Sequence, residues 1–457
     1  MHETGTAARC RRVCARLFSP LTHMTPSDRM NLPATPLPDF ADAAVLRAHI
    51  ADTMAFYHPR AIDPAGGFFH YFRDDGSVYD AGHRHLVSST RFVFNYAMAA
   101  NEFADSPLAA EYLDAARHGL RYLRDVHRDA ASGGYVWTLR DGVAEDRTQH
   151  AYGAAFVLLA YATAKKAGLD TDAWMDETWQ LLETRYWDAS AGLYRDEATP
   201  DWQFSSYRGQ NANMHLCEAL IAAYEASAEP RYLQRALLLA DHITRRQAAL
   251  AGGLVWEHYD AHWQVDWDYN RDNPKHLFRP WGFQPGHQVE WSKLLVLLHG
   301  HLHAAEGSAP DWLLPTARHL FDTALTHGWD AQHGGIVYGF ASGTEAEPVV
   351  GVPDVAQHPT YFCDDDKYFW VQAEAIAAAA RLLAASGDAG YRAAYDRLWA
   401  YSWEHLVDHR YGAWFRILSR DNRSYSDEKS PAGKTDYHTM GACHDVLAVM
   451  RGSRAFA

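Results

Sequence analysis

An all-α fold, a closed (α/α)6 barrel with short β-hairpins in its loops, is what this 457-residue sequence predicts. Three observations predict it. A turn phrase recurs six times, two helical stretches separate successive copies, and the first helix of each pair is apolar nearly all round.

The phrase reads IDPAGGFFHYF from Ile62, RDAASGGYVWTL from Arg128 and WDASAGLYRD from Trp187. It returns as RQAALAGGLVWEHYD from Arg246, WDAQHGGIVYGF from Trp329 and VDHRYGAWFRIL from Val407. Gly67, Gly134, Gly192, Gly253, Gly335 and Gly412 anchor the copies, roughly 60–80 residues apart. Physically the phrase is a turn. Asp bonds the backbone two residues on, and Gly supplies a positive φ. The aromatic run after it reads as a short strand or hairpin. Between turns lie pairs such as 151–168 with 172–187, and 211–227 with 231–246, whose apolar residues recur at three and four. Six pairs that each bury one face need a common core. A closed ring supplies it, with inner helices around the axis and outer helices shielding them; an open solenoid is the alternative. Inner helices that are apolar all round favour the ring.

Bulk composition narrows the function. Apolar residues make up 48% and charged residues 22%, which is ordinary for a soluble globular chain. The net charge of −15 argues against nucleic acid and anionic membranes as partners. No apolar run reaches membrane-spanning length. The five cysteines (10, 14, 217, 363, 443) are scattered and odd in number, which fits reduced thiols and a cytoplasmic location. The basic stretch ARCRRVCARLFSPLTHM has no signal-peptide core. Residues 1–30 are therefore expected to be a disordered extension, and 31–457 one catalytic domain. Neither a phosphate-binding loop nor a dinucleotide fingerprint occurs, so no cofactor is expected.

The polar residues at inner-helix starts carry the functional signal. HLVSSTRFVFNYAMAA has Ser88, Ser89 and Thr90 before Arg91. YRGQNANMHLCEAL sets Asn211 and His215 four apart. GHQVE opens a buried helix with His287 and Glu290, and KTDYH carries Asp436 and His438. DDDKYFWVQAEAIAAAA spaces Lys367, Trp370 and Glu374 at three and four, as residues sharing a helix face are. Taken singly each has a bland reading: Ser88 and Thr90 as caps, Glu290 at a positive helix end, Arg91 in an ion pair, a histidine or Trp370 in the core. Taken together they are too many ionisable groups to bury without a site. A metal site is a rival, since His287 and Glu290 have ligand spacing, but a second such pair and an HExxH motif are missing. No metal is expected.

In order along the chain, SSTRFVFNYA, NANMH, GHQVEW, KYFWVQAEA and KTDYH resemble the signature segments of the N-acylglucosamine 2-epimerase superfamily. The likeness runs from about Pro59 to Val449 and leans toward its D-mannose and sulfoquinovose isomerase branch. Phe369-Trp370 departs from the tryptophan pair of the epimerase branches. The resemblance implies that His438 is the base for the C2 proton of an open-chain sugar. His287 is then its acid/base partner, and Glu290 orients His287. Arg91, Asn211 and His215 would bind sugar oxygens, Trp370 would offer a face, and Tyr152, Arg279 and Glu374 would line the site. The implied reaction is metal-independent interconversion of D-mannose and D-fructose through a cis-enediol, with free monosaccharide as the partner and a homo-oligomer left open. Imidazole suits such proton transfer. Alternatives are a mannose/glucose 2-epimerase sharing the same enediolate, a glycoside hydrolase on the same barrel, which needs two carboxylates, and a non-enzymatic sugar binder.

Overall fold

The computed structural model describes residues 36–347, 349 and 358–456. The expected N-terminal extension and the boundary at residue 30 lie outside them. Twelve α-helices are found among the described residues. The odd-numbered, outer ones are α1 (Ala43–Tyr57), α3 (Leu108–Tyr122), α5 (Asp172–Leu181), α7 (Pro230–Asp241), α9 (Leu313–Gly328) and α11 (Ala389–His405). The even-numbered, inner ones are α2 (Leu86–Glu102), α4 (Ala151–Lys166), α6 (Gln210–Ser227), α8 (Pro285–Glu306), α10 (Phe369–Ser386) and α12 (Tyr437–Gly452). Each inner helix packs on the next, and α12 returns to α2, so the ring closes. α3, α5 and α7 run on into single π turns at Leu123–His127, Leu182–Tyr186 and His242–Gln247, the last two of which the sequence reading merged with their helices. None of the described helices is long and apolar enough to cross a membrane.

The repeated phrase folds as its chemistry requires. Asp63, Asp129, Asp188, Asp330 and Asp408 each accept the N–H two residues on, at 2.9–3.1 Å. Antiparallel bridges close the turns at Ile62–Phe68, Arg128–Tyr135, Trp187–Tyr194, Trp329–Ile336 and Val407–Trp414. The fourth copy lacks the aspartate and instead closes by the N–H of Gly253 on the carbonyl of Ala248, at 2.8 Å. In the second copy the positive φ falls on Gly133 rather than Gly134. Gly134 is needed for space: a Cβ there would come 1.7 Å from Gln149 Oε1.

Strands lead into the inner helices and pair with the following repeat: 83–85 with 138–140, 149–150 with 197–198, 208–209 with 258–259, and 367–368 with 417–418. Phe283 bridges Phe340 in the same way. The last pair, 428–430 with 71–73, joins the final repeat to the first. Inner-to-outer connections are short, at most 307–312, whereas outer-to-inner connections such as 128–150 and 329–368 are long. All six inner helices therefore start at the same, loop-rich end.

Near those starts sits a buried amide device. Asn213 accepts the N–H of Tyr194 (2.9 Å) and donates to its carbonyl (3.0 Å). Gln288 does the same to Val255, at 3.0 and 2.7 Å, and Gln372 to Ile336, at 3.0 and 2.7 Å. Gln149 accepts from Tyr135 at 3.2 Å, and Asp436 from Trp414 at 3.3 Å. Each clasp pins an inner helix, or in the case of Gln149 and Asp436 the segment leading into one, to the preceding turn. It satisfies backbone groups that no ladder reaches, as burial demands.

Candidate active site

The same helix turns present a second set of side chains to the barrel interior. His438, in the first turn of α12, is 5% exposed. Its Nδ1 lies 2.7 Å from Glu374 Oε1, on α10. Its Nε2 faces Arg91 Nη2 at 3.4 Å. A guanidinium has no lone pair to offer, so His438 Nε2 is the acceptor and Nδ1 carries the proton donated to Glu374. Burial first, then the charge of Arg91, holds the His438 imidazolium form well below the ordinary histidine range. The ring is thus a neutral base with its lone pair directed away from its carboxylate.

Arg91 is held at both terminal nitrogens. It donates to the Gly433 carbonyl at 2.5 Å and to Tyr152 Oη at 3.2 Å, and lies over the rings of Phe156 and Tyr437. Tyr152 meets His215 edge to face, with centroids 5.1 Å apart. His215 repeats the histidine–carboxylate pairing: its Nδ1 lies 3.1 Å from Glu218 Oε2. Its centroid is 6.4 Å from that of His438.

His287, 7% exposed, opens α8 across the site. The Trp370 ring neighbours both imidazoles, 5.1 Å from His287 and 5.6 Å from His438, tilted 33° and 36° to them. Gly286 makes this possible, because a Cβ there would come 2.5 Å from Trp370 Cη2. The carboxylate beside His287 is not Glu290. Glu257 Oε1 lies 2.9 Å from His287 Nδ1. Glu257 is held by Gln210 Nε2 at 2.9 Å, and Gln210 in turn accepts from Trp291 at 2.7 Å. Glu290 is one helical turn further along and points the other way, 3.6 Å from His215 Nδ1. It is fully buried, and neither of its oxygens has a hydrogen-bond partner among the described residues. Burial, then the nearby Glu374 charge, raises it well above the usual carboxylate range.

Glu374 is a support for His438 rather than a lining group: besides the imidazole it accepts from Lys293 Nζ at 2.6 Å. Asn211 Oδ1 is buried without a hydrogen-bond partner among the described residues. Arg279 stands apart. It donates to Glu197 (2.7 Å) and Tyr269 (3.0 Å) and covers Tyr207, and none of these contacts reaches the histidines. Ser88 and Thr90 are not caps; α2 begins at Leu86, capped by His85 Nδ1. Ser88 accepts the N–H of Gly433, the residue whose carbonyl holds Arg91. Lys367 precedes its helix and is buried against Asp330, away from Trp370 and Glu374. Asp436 is a clasp. Sequence reasoning missed Glu257, inside a turn phrase, and Glu218 and Lys293, each three residues beyond a residue it did select.

The carboxylates and histidines invite comparison with a metal site. Glu290, Glu374 and His438 bring ligand-type atoms within 4.8 Å of one another, as do His215, Glu218 and Glu290. The positive charge in that space is Lys293, and the Nδ1 protons of His438 and His215 are directed at carboxylates. The cluster therefore reads as a paired hydrogen-bond network. What it offers chemically is a neutral imidazole beside a fixed guanidinium, a second imidazole beside an indole ring, and almost no water access.

Comparison with known proteins identifies the family. Residues 67–442 match the family model for N-acylglucosamine 2-epimerase (GlcNAc 2-epimerase). A D-mannose isomerase from Marinomonas mediterranea is 52% identical, over 90% of this chain and 99% of its own. One from Pseudomonas cannabina pv. alisalensis is 34% identical, over 80% of this chain and 85% of its own. A crystal structure of D-mannose isomerase superposes with a TM-score of 0.82 at 52% identity, covering 90% of this chain and 99% of the other. With its ring of inner helices and its histidine pair at the loop-rich end, the chain belongs to the N-acylglucosamine 2-epimerase family.

Proposed function

We propose that this protein is an aldose–ketose isomerase that interconverts D-mannose and D-fructose through a cis-enediolate. The observation that carries the proposal is His438: its Nδ1–H is committed to Glu374, and its unprotonated Nε2 faces Arg91. The 52% identity to a D-mannose isomerase over nearly the whole of both chains supports the choice of sugar.

The reaction needs few groups. His287 assists ring opening and carries the proton exchanged between O2 and O1. His438 Nε2 removes the C2 proton and returns it to C1, so one C–H bond breaks and one forms on the same face. The negative charge that develops on the enediolate oxygens faces Arg91. Fixed donors aimed at developing charge in a dry site lower such a barrier by roughly 3–4 kcal/mol each. Trp370 lies under the sugar beside the two imidazoles. The nearly sealed interior keeps water from the enediolate. None of these steps calls on a metal. The protein works on free monosaccharide in the cytoplasm, consistent with the three free thiols Cys217, Cys363 and Cys443.

The test is incubation with D-mannose in deuterium oxide. Fructose as first product, with deuterium entering at C1, is the expected result. Glucose as first product would mean 2-epimerisation. Failure to convert mannose, with D-lyxose also inert, would sink the proposal. A hydrolase would instead lose activity with Glu290→Gln and tolerate changes at His438.

A further inference from the structure

Lys293 lies in the core beneath the proposed site, 5% exposed, on the inner helix α8. A lysine so placed must answer for its charge. Its Nζ is 2.6 Å from Glu374 Oε2, 3.9 Å from Glu218 Oε1 and 3.9 Å from Asp445 Oδ2. These carboxylates come from three other inner helices, α10, α6 and α12. Two of them are the partners of His438 and His215. Glu218 also accepts from Tyr437, and Asp445 is paired with Arg381. Among the described residues, Lys293 is the one lysine or arginine paired with Glu374.

We propose that Lys293 is a positioning residue that fixes the tautomer of His438 by keeping Glu374 an acceptor. Glu374 then takes the Nδ1–H, which leaves the Nε2 lone pair on the side of Arg91. Without the ammonium the carboxyl is buried beside Glu290 and Glu218 with nothing to balance it. Burial already pushes Glu374 above the usual carboxylate range, and Lys293 is the main influence pulling it back. Once protonated, Glu374 donates to Nδ1. The ring proton then moves to Nε2, where it blocks the base and meets Arg91 donor to donor. The base would be present and in place, but in the wrong tautomer. A histidine's orienting carboxylate acts in this way in other enzymes.

The decisive measurement is the nitrogen NMR spectrum of His438 in the sugar-free protein, wild type against Lys293→Met. The wild type is expected to show a protonated Nδ1, and the variant a protonated Nε2. This readout does not use turnover, so it stands apart from the isomerase proposal on which the kinetic half rests. In the kinetics, K293M should lower kcat by about 10²-fold or more with little change in KM, and activity should partly return as pH rises and Glu374 ionises. Lys293→Arg keeps the charge and should restore most of kcat, and it serves as the folded control should K293M fold poorly. An unchanged tautomer in K293M, or a kcat loss that is equal in K293R and K293M and flat with pH, would overturn the proposal.

Discussion

Two sets of polar side chains share the first turns of the inner helices, often one or two residues apart. On α6, Asn213 clasps Tyr194 while Asn211 and His215 lie on either side of it in sequence. On α8, Gln288 clasps Val255 while His287 and Glu290 flank it. On α10, Gln372 clasps Ile336 between Trp370 and Glu374. The clasps face the turn strands, and their buried polar atoms are hydrogen-bonded. The other set faces the interior, and a few of its atoms, Asn211 Oδ1 and both oxygens of Glu290, have no hydrogen-bond partner among the described residues. The same residue types thus do opposite work. One set satisfies the backbone of the turns, and the other pairs histidines with carboxylates in the interior.

The comparison breaks most visibly at His438. His438→Ala should cost about 10²–10⁴ in kcat and stop deuterium uptake into the sugar, with thermal stability unchanged. Turnover near the wild-type rate would remove it from the interior-facing set. Gln372→Ala should do the reverse. Leaving both backbone groups of Ile336 unpaired should destabilise the fold by about 2–4 kcal/mol in a denaturant titration, while the remaining folded enzyme keeps its kcat. Gly286→Ala tests the boundary between the two sets. It should displace Trp370 and lower kcat/KM by about tenfold to a hundredfold, with a small stability change. Asp188→Ala removes the turn hydrogen bonds that Asp188 accepts from Ser190 and Ala191, away from His438 and His287, and about 1 kcal/mol of stability with no kinetic effect is the expectation.

The smallest effect is in pH. His438 is held well below 6.5 by burial and by Arg91, with His215 acting in the same sense. A group lowered in this way is neutral, and able to accept a proton, above its own pKa. Activity is therefore lost only as pH falls well past 6.5. From pH 7.5 to 6.0, kcat/KM of the free enzyme should hold within about a factor of two, where an unperturbed imidazole would lose about fourfold. The same sign applies to folding: this contribution to stability is present above 6.5 and is lost as pH falls through the folded value. A midpoint at or above 6.5 would contradict the buried, Arg91-flanked setting.

Much of the barrel was legible because it is periodic. Turn aspartates, helical spacing and apolar inner helices are local signals, and six copies reinforce one another. The contents of the site were legible only in part. His287 and Gln288 are adjacent polar residues in one turn, and which one faces the interior depends on the register of Val255, more than thirty residues away. Glu257 was hidden because its run reads as a hairpin, and the carboxylate role went to Glu290 by spacing alone. Lys367 was grouped with Trp370 at helical spacing, but α10 begins only at Phe369, so that rule did not reach it. Lys293 had a faint signal: a lysine three residues after Glu290, just before the apolar run LLVLL of an inner helix, has no solvent to turn to.

The strand pair joining 428–430 to 71–73 has a consequence for how such a protein comes into being. A linear stack of repeats can grow stepwise from either tip, each unit resting on the last. A circle cannot; its closing segment has a place only when every other segment is already there. That segment here is α12, which carries His438, and it docks between Arg91 from the second helix and Glu374 from the tenth. Any half-assembled ribosomal product would therefore be chemically silent, and the enzyme would switch on in the same event that shuts the seam.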